Sequence, residues 1–543
     1  MAQDHRGIQN TGVTLLVVGA LAVVAALVVG ILNHAEPSEH EPSATPSAAP
    51  SATPSAEPAS FVTADGQDLI LDGETFRYAG ANAYTLMFEA PATLAVYMKT
   101  AKESNLTVMR TWAFFDVGTP EGDLAVEINN RDIYFQYWDI EANSPAFNDG
   151  ENGLEHLDQV VAAAQDQGIK LVLPLVNNWT AFGGIDQYVR WAGGQYHDDF
   201  FTNDQIKQWY KDWVDHLLNR TNTITGVVYK DDPTIMAWEL GNELQCSDAG
   251  PYPPSENCGS DIMVGWADEM SQYVRSIDAN HLIGFGGEGF LCSEPGGSNW
   301  ITNCTKSADP VALLALDNID IHGIHVYPNH WQPTEPTSDW QDFGEWWIDE
   351  QGAVAADANK PYYMGEYGWV DQSERMLVFD DWLQHFYDAG GDGSHFWLMQ
   401  PAVSIAAPAD SVGFTQRCPG PACDLVSNWS QHVGQGIDWT EFGPIAENDF
   451  AFLGEDGTAT IDVLANDKVY APATFDLATI DLDPESAGIQ ETFEVDGGTF
   501  AVVAGAVTFT SADEPASARA FYTVADSDGR VAQARQLSVA PKS

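Results

Sequence analysis

Residues Ile235–Cys246 read IMAWELGNELQC: an apolar run, Ile235 to Trp238, gives way to the polar trio Gly241, Asn242 and Glu243. In barrels of alternating strands and helices, chemistry gathers at the C-terminal ends of the strands, and an apolar run that closes on a polar cluster is the sequence trace of such an end. Seven further runs of the same texture flank this one: FRYAGANAY (76–84), LTVMRTWAF (106–114), IKLVLPLVNNW (169–179), HLIGFGGEGF (281–290), IDIHGIHVYP (319–328), PYYMGEYGW (361–369) and SHFWLMQ (394–400). With TIMAWELGNE (234–243) they make eight candidate strands. Between them, Leu154, Leu157, Val160 and Val161 recur at helical spacing, as do Ile206, Trp209, Trp213 and Leu217, so both stretches predict helices with core-facing stripes. The expected fold is α/β, a (β/α)8 TIM barrel over residues 61–443.

The polar ends of these runs carry the candidate chemistry. Glu366, in GEYG, repeats the setting of Glu243, and two carboxylates facing one cleft point to glycoside hydrolysis. His325 and Tyr327 end a third run and are placed to hydrogen-bond a carboxylate. Arg110 ends a fourth and Trp397 a fifth, the indole offering a flat face to a sugar ring. Arg110 is expected to keep a nearby carboxylate ionised, and less charged surroundings to keep Glu243 protonated. Trp179 and Trp191, in NNWTAFGGIDQYVRW, are expected to offer aromatic surface at the catalytic end, whereas Trp209 and Trp213 are read as packing.

RTWAF, NNWTAFGGIDQYVRW, WELGNE, GEGF, HVYP, GEYG and FW occur in this order, each at a strand end, and over residues 60–440 the chain resembles glycoside hydrolase family five, in particular its fungal and plant type endo-β-1,4-mannanases. The resemblance implies an endo-acting, retaining enzyme with Glu243 as general acid/base and Glu366 as nucleophile. It implies a sugar-binding set of Arg110, Trp112, Asn178, Trp179, Asn242, Glu288, His325, Tyr327 and Trp397, with Asn242 on the sugar 2-hydroxyl, and no cofactor or metal. The substrate would be β-mannan, galactomannan or glucomannan; a β-1,4-glucanase or a non-catalytic glycan-binding protein or adhesin are the alternatives. Where such mannanases continue the acid/base motif with Pro, Arg and Cys, this chain has Leu244, Gln245 and Cys246, so a basic residue of the leaving-group side is missing.

Seventy-nine acidic residues against 22 basic ones give a formal charge of −57, which argues against nucleic acid or anionic membrane as partners and suits a solvated surface in high salt. Val13 to Leu32 is uncharged and, as a helix, would reach roughly 30 Å, so residues 1–33 are expected to form a transmembrane anchor or a cleaved signal. Residues 34–60, with PSATPSAAPSATPSAEP, read as a disordered Pro/Ser/Ala stalk outside the cell. Six cysteines in loop-like segments fit an exported protein, which is separately expected to be a monomer; fifteen pairings are open, and proximity favours Cys246 with Cys258, Cys292 with Cys304, and Cys418 with Cys423. From residue 444 to 543 the alternating texture of ATIDVLAND, GAVTFTS and ARAFYTVADSDGR predicts a small all-β sandwich resembling cadherin-like or immunoglobulin-like modules. Asp526 and Asp528 there are better read as turn carboxylates than as calcium ligands.

Overall fold

The computed structural model describes residues 60–121, 132–247, 250–332, 339–402, 413–512 and 516–542. The expected anchor over residues 13–32 and the stalk up to residue 59 lie outside these. Among the described residues no helix is long and apolar enough to cross a membrane.

Eight parallel strands alternate with eight helices: β1 (Tyr78–Asn82), α1 (Pro91–Glu103), β2 (Val108–Arg110), α2 (Leu154–Gln167), β3 (Lys170–Pro174), α3 (Asp204–Leu218), β4 (Ile235–Glu239), α4 (Ser260–Ile277), β5 (Leu282–Gly284), α5 (Pro310–Leu314), β6 (His322–Val326), α6 (Trp340–Ala358), β7 (Tyr362–Tyr367), α7 (Arg375–Asp388), β8 (Gly393–Phe396) and α8 (Pro421–Gln435). The sheet runs β5-β4-β3-β2-β1-β8-β7-β6, and a parallel bridge between Gly284 and Ile321 closes it into a barrel. Each strand falls on one of the eight apolar runs, because only such runs tolerate burial on both faces of a parallel sheet.

The outward faces pack against the helices. Leu154, Leu157, Val160 and Val161 on α2 are buried, as are Ile206, Trp213 and Leu217 on α3, while Trp209 packs edge-on against Trp138. The inward faces fill in layers. A lower apolar layer holds Tyr78, Val108, Val172, Leu282 and Tyr363, and Val62 and Leu69, from the segment that includes the antiparallel strands Thr63–Asp65 and Asp68–Leu71, plug it from below. Above it the interior turns polar, with Arg110, Glu239 and His395 all fully buried. The three favoured cysteine pairs are the disulfides of the structure.

The C-terminal part forms two four-stranded sheets around their own core. Its strands are β9 (Asp449–Leu453), β10 (Thr458–Ile461), β11 (Phe475–Asp481), β12 (Thr492–Val495), β13 (Gly498–Val503), β14 (Ala506–Ser511), β15 (Ala518–Asp526) and β16 (Arg535–Pro541), ordered β9-β16-β15-β11 and β10-β14-β13-β12. The sandwich rests on α7 and α8: Tyr470 stacks on Trp439 and accepts from Asn428, Lys468 pairs with Asp380, and Arg535 with Asp424. Arg530 engages both Asp526 and Asp528, as befits turn carboxylates.

Burial pushes four carboxyls far up: Asp116 and Asp449 to about 8, Asp392 and Asp467 to about 7. Each binds its proton more tightly in the folded chain than in the unfolded one, where an aspartate titrates near ~3.9. Stability is therefore lost as pH rises from about 4 through these values, and self-repulsion of the acidic surface acts in the same direction. Thermal unfolding should show a Tm lower by roughly 5 °C or more at pH 8.5 than at pH 5.5; a higher Tm at pH 8.5 would refute these protonation states.

Candidate active site

The polar upper layer is organised by Arg110, at the end of β2. Its guanidinium donates to Glu239 through Nε (3.0 Å) and Nη2 (2.7 Å), to Glu366 Oε1 (2.7 Å) and Asn82 Oδ1 (3.2 Å) through Nη1, and to Asn242 Oδ1 (2.7 Å) through Nη2. Burial opposes the charge, but Glu239 and Glu366 outweigh it and hold the guanidinium more firmly protonated than in water. Tyr363, on β7, donates to Glu239 across the barrel interior. Glu239 was not among the residues picked out by sequence, yet it is fully buried and is the main partner of the arginine.

Two register shifts aim the next groups. The pairing of β6 with β7 shifts between Ile324 and His325 and sets His325 opposite Glu366; that of β7 with β8 shifts after Met364. Such irregularities re-aim side chains at strand ends. Tyr327 then donates to Glu366 Oε2 (2.7 Å), and His325 Nδ1 contacts Glu243 Oε1 (2.7 Å) while lying 3.8 Å from Glu366 Oε2.

Glu243 sits beyond the end of β4 in the left-handed region, at φ 55°, a costly conformation for a residue with a side chain. Its N–H donates to the carbonyl of Gly286 at 2.7 Å. Gly286 has φ 77°, and a Cβ there would stand 2.0 Å from the carbonyl oxygen of Gly241, so only glycine lets the two loops close in and hold Glu243 in this pose. Trp179 donates its indole N–H to Glu243 Oε2. One carboxylate oxygen of Glu243, one of Glu366 and a ring nitrogen of His325 all lie within 4.8 Å of one another. Such a trio is close enough to hold a cation, but Arg110 already supplies the compensating charge beside Glu366.

The cavity above these groups has a volume of about 590 Å³. Of the predicted site residues, Glu243, Glu366, Trp179, Glu288, Tyr327 and Trp397 line it. Arg110, Trp112, Asn178, Asn242 and His325 stand behind that wall. Trp112 is tilted against Trp397, and the Arg110 guanidinium lies 5.0 Å from the Trp112 ring centre, so this tryptophan backs the Trp397 platform. Asn242 spends its amide on Asn177 and Arg110. Asn178 is a correction: fully buried, it accepts from the backbone N–H of Gln245 and contacts His197, so it braces the loop after Glu243 rather than meeting sugar. Trp191 is a second correction, buried with its N–H on the carbonyl of Gly118. Gln245, Phe290, Trp300, Lys306, His330, Trp331 and Phe414 complete the lining and were not expected there from sequence, since most come from loops whose return path tertiary packing sets.

The expected electrostatic asymmetry is reversed. Burial raises the Glu366 carboxyl above the ordinary range, with the charge of Glu243 adding to it and those of His325 and Arg110 opposing. Arg110 does less for Glu366 than expected because it is shared with Glu239. Burial would raise Glu243 as well, but the hydrogen bond and charge of His325, then Trp179, bring it below that range. Glu288 is pushed well above it by burial and by the charge of Glu243.

A parallel barrel that brings two buried carboxylates together under an aromatic-walled cleft at its C-terminal end defines a glycoside hydrolase. A family model described as GH family 5 beta-mannosidase-like matches residues 59–381. The chain belongs to that family. It is 37% identical over 326 residues to the probable mannan endo-1,4-beta-mannosidase C of Aspergillus terreus, covering 58% of this chain and 75% of that protein. It is 32% identical to mannan endo-1,4-beta-mannosidase F of Aspergillus fumigatus over 66% of this chain and 74% of that one. Among solved structures, the endo-1,4-beta-mannanase of Rhizomucor miehei superposes with a TM-score of 0.63 at 34% identity, over 69% of this chain and 100% of that chain. The endo-beta-1,4-mannanase of Thermotoga petrophila gives 0.61 at 26% identity, over 87% of this chain and 99% of its own.

Proposed function

We propose that the chain is an endo-acting, retaining β-1,4-mannanase in which Glu366 is the nucleophile and Glu243 the general acid/base. The observation that carries this reading is that one oxygen of Glu243 and one of Glu366 lie within 4.8 Å of each other in the wall of one cleft, which is compatible with the carboxyl separation of about 5–5.5 Å that retention requires. The names of the similar proteins support mannan as the substrate.

In the first step a Glu366 oxygen bonds the anomeric carbon as the glycosidic C–O bond breaks, and the proton of Glu243 passes to the leaving oxygen. A water oxygen then attacks the same carbon, Glu243 takes the proton and Glu366 departs. Arg110 and Tyr327 hold Glu366 in line and stabilise the charge it regains, and Trp397 floors the sugar at the cleavage point. His325 and Trp179 favour the carboxylate form of Glu243, the form needed for the second step. A sugar filling the cleft excludes water and shifts it toward the protonated form, with His325 as its hydrogen-bond partner.

Attack requires ionised Glu366, so activity should fall as pH drops through its raised value. The acid limb of kcat/KM against pH should therefore lie above that of an unperturbed glutamate; a limb below it would exclude Glu366 as the group that sets it. Reducing-sugar release from mannan, galactomannan, glucomannan and carboxymethylcellulose tests the substrate assignment, with the mannans expected to lead and preference for the cellulose derivative overturning it.

The proposal extends to an exported monomer held at the cell surface by residues 13–32, its acidic surface suited to concentrated salt, with a C-terminal module of cadherin-like or immunoglobulin-like kind. Detection of intact chain in the membrane fraction supports the anchor, and a mature chain starting beyond residue 33 overturns it.

A further inference from the structure

The cleft continues past Glu243. Behind Trp179, Gln245 and Lys306 lies a second hollow of about 350 Å³, walled by Cys246 and Pro254 of one disulfide-closed loop and by Thr305. Trp179, Gln245 and Lys306 line both spaces, so the two share a wall. A second disulfide-closed loop, Cys292–Cys304, carries Trp300 to the cleft side of that wall, and the N–H of Cys246 donates to the carbonyl of Lys306 at 2.6 Å, tying the loops together.

Lys306 stands out in a chain so rich in carboxylates. Its ammonium lies 4.3 Å from the centre of the Trp300 ring, and among the described residues no carboxylate is within ion-pair distance of it. Glu288, in the same cavity, is hydrogen-bonded by Gln245 and Trp331 and feels the charge of Lys306 without pairing with it. A half-buried ammonium with free donors, at the wall shared by the cleft and the hollow and held over the Trp300 indole on the cleft side, matches the hydroxyls of a pyranose, which accept. The hollow follows Glu243 along the chain, whereas Trp397, Phe414 and Tyr327 gather about Glu366. The acid that protonates the departing oxygen faces the departing sugars, so the hollow lies on the leaving-group side.

We propose that Lys306 and Trp300 form a sugar-binding subsite on that side, in which the ammonium donates to hydroxyls of a neutral β-1,4-linked hexose chain and thereby sets where along an oligosaccharide the cut falls. The proposal rests on Glu243 being the acid/base. It fills the place left open by Leu244 and Gln245 with a cation from a different loop.

The test is mannohexaose labelled with 18O at its reducing end, digested by the full chain and by Lys306→Met, Lys306→Arg and Trp300→Ala, with products read by mass spectrometry. In Lys306→Met the cut should move toward the reducing end, leaving fewer sugars beyond it. The ratio of kcat/KM for mannohexaose to that for an aryl mannobioside, which has no sugar on that side, should drop about tenfold, the scale of one hydrogen bond to a charged group. Lys306→Arg should restore most of the original pattern, and unchanged melting of each variant shows that it folds. An unaltered cleavage pattern with a ratio within about twofold of the parent overturns the subsite. If the parent chain does not cleave mannohexaose at all, the mannanase reading fails instead.

Discussion

Glu366→Gln should hydrolyse β-mannan at least about 10⁴-fold more slowly than the parent chain, because an amide oxygen cannot form or release the glycosyl ester while the rest of the cleft is left in place. Gln keeps the shape, its carbonyl oxygen can still accept from Arg110 and its NH2 can donate to the Tyr327 hydroxyl oxygen, so melting should change little. Glu243→Gln removes proton transfer instead and should lower the rate on mannan by about 10²–10⁴-fold. The two variants differ in a way that tests the roles. An aryl mannoside whose leaving group needs no proton should still glycosylate Glu366 in Glu243→Gln and then stall, and added azide should release the sugar as the β-azide. Glu366→Gln should respond to neither. A loss under about tenfold in both variants would remove these residues from the reaction.

The second large effect is on folding. Arg110→Met leaves Glu239 and Glu366 facing each other in the barrel interior without their shared cation, and breaking a buried ion pair on one side costs about 3–5 kcal/mol. Urea unfolding should show that loss, and Arg110→Met with Glu239→Gln should recover part of it, since the second change removes the charge left unpaired. The same substitution should push the acid limb of activity further up, as Glu366 loses a group that opposes its protonation. An unchanged unfolding midpoint would mean that the arginine does not organise the upper layer.

The barrel was legible because its strands are buried on both faces and end abruptly. LTVMRTWAF, TIMAWELGNE and PYYMGEYGW each carry their polar residue where the run leaves the apolar interior, and that alone located Arg110, Glu243 and Glu366. Glu239 was hidden by the same logic: it falls inside an apolar run and reads as an interruption of it. The available signal was a charge two residues before the strand's polar end, with a buried arginine on another strand to answer it. Asn178 was misplaced because a motif gives position along the chain but not the direction of a side chain, and here the loop turns the amide inward to Gln245. Trp300, Lys306 and Phe414 were out of reach for a different reason, since only the folded loops bring them to the cleft. The electrostatic order of the two carboxylates also needed coordinates, because it depends on how Arg110 divides its charge and on which carboxylate His325 is closer to.

The most direct measurement is proton NMR of the first sugar released from a β-mannoside substrate, before mutarotation scrambles it. Two displacements through Glu366 predict a product that appears first as the β-anomer and only later equilibrates. Initial appearance of the α-anomer would mean that a water attacks directly, and the account of Glu243 and Glu366 as acid/base and nucleophile would be wrong.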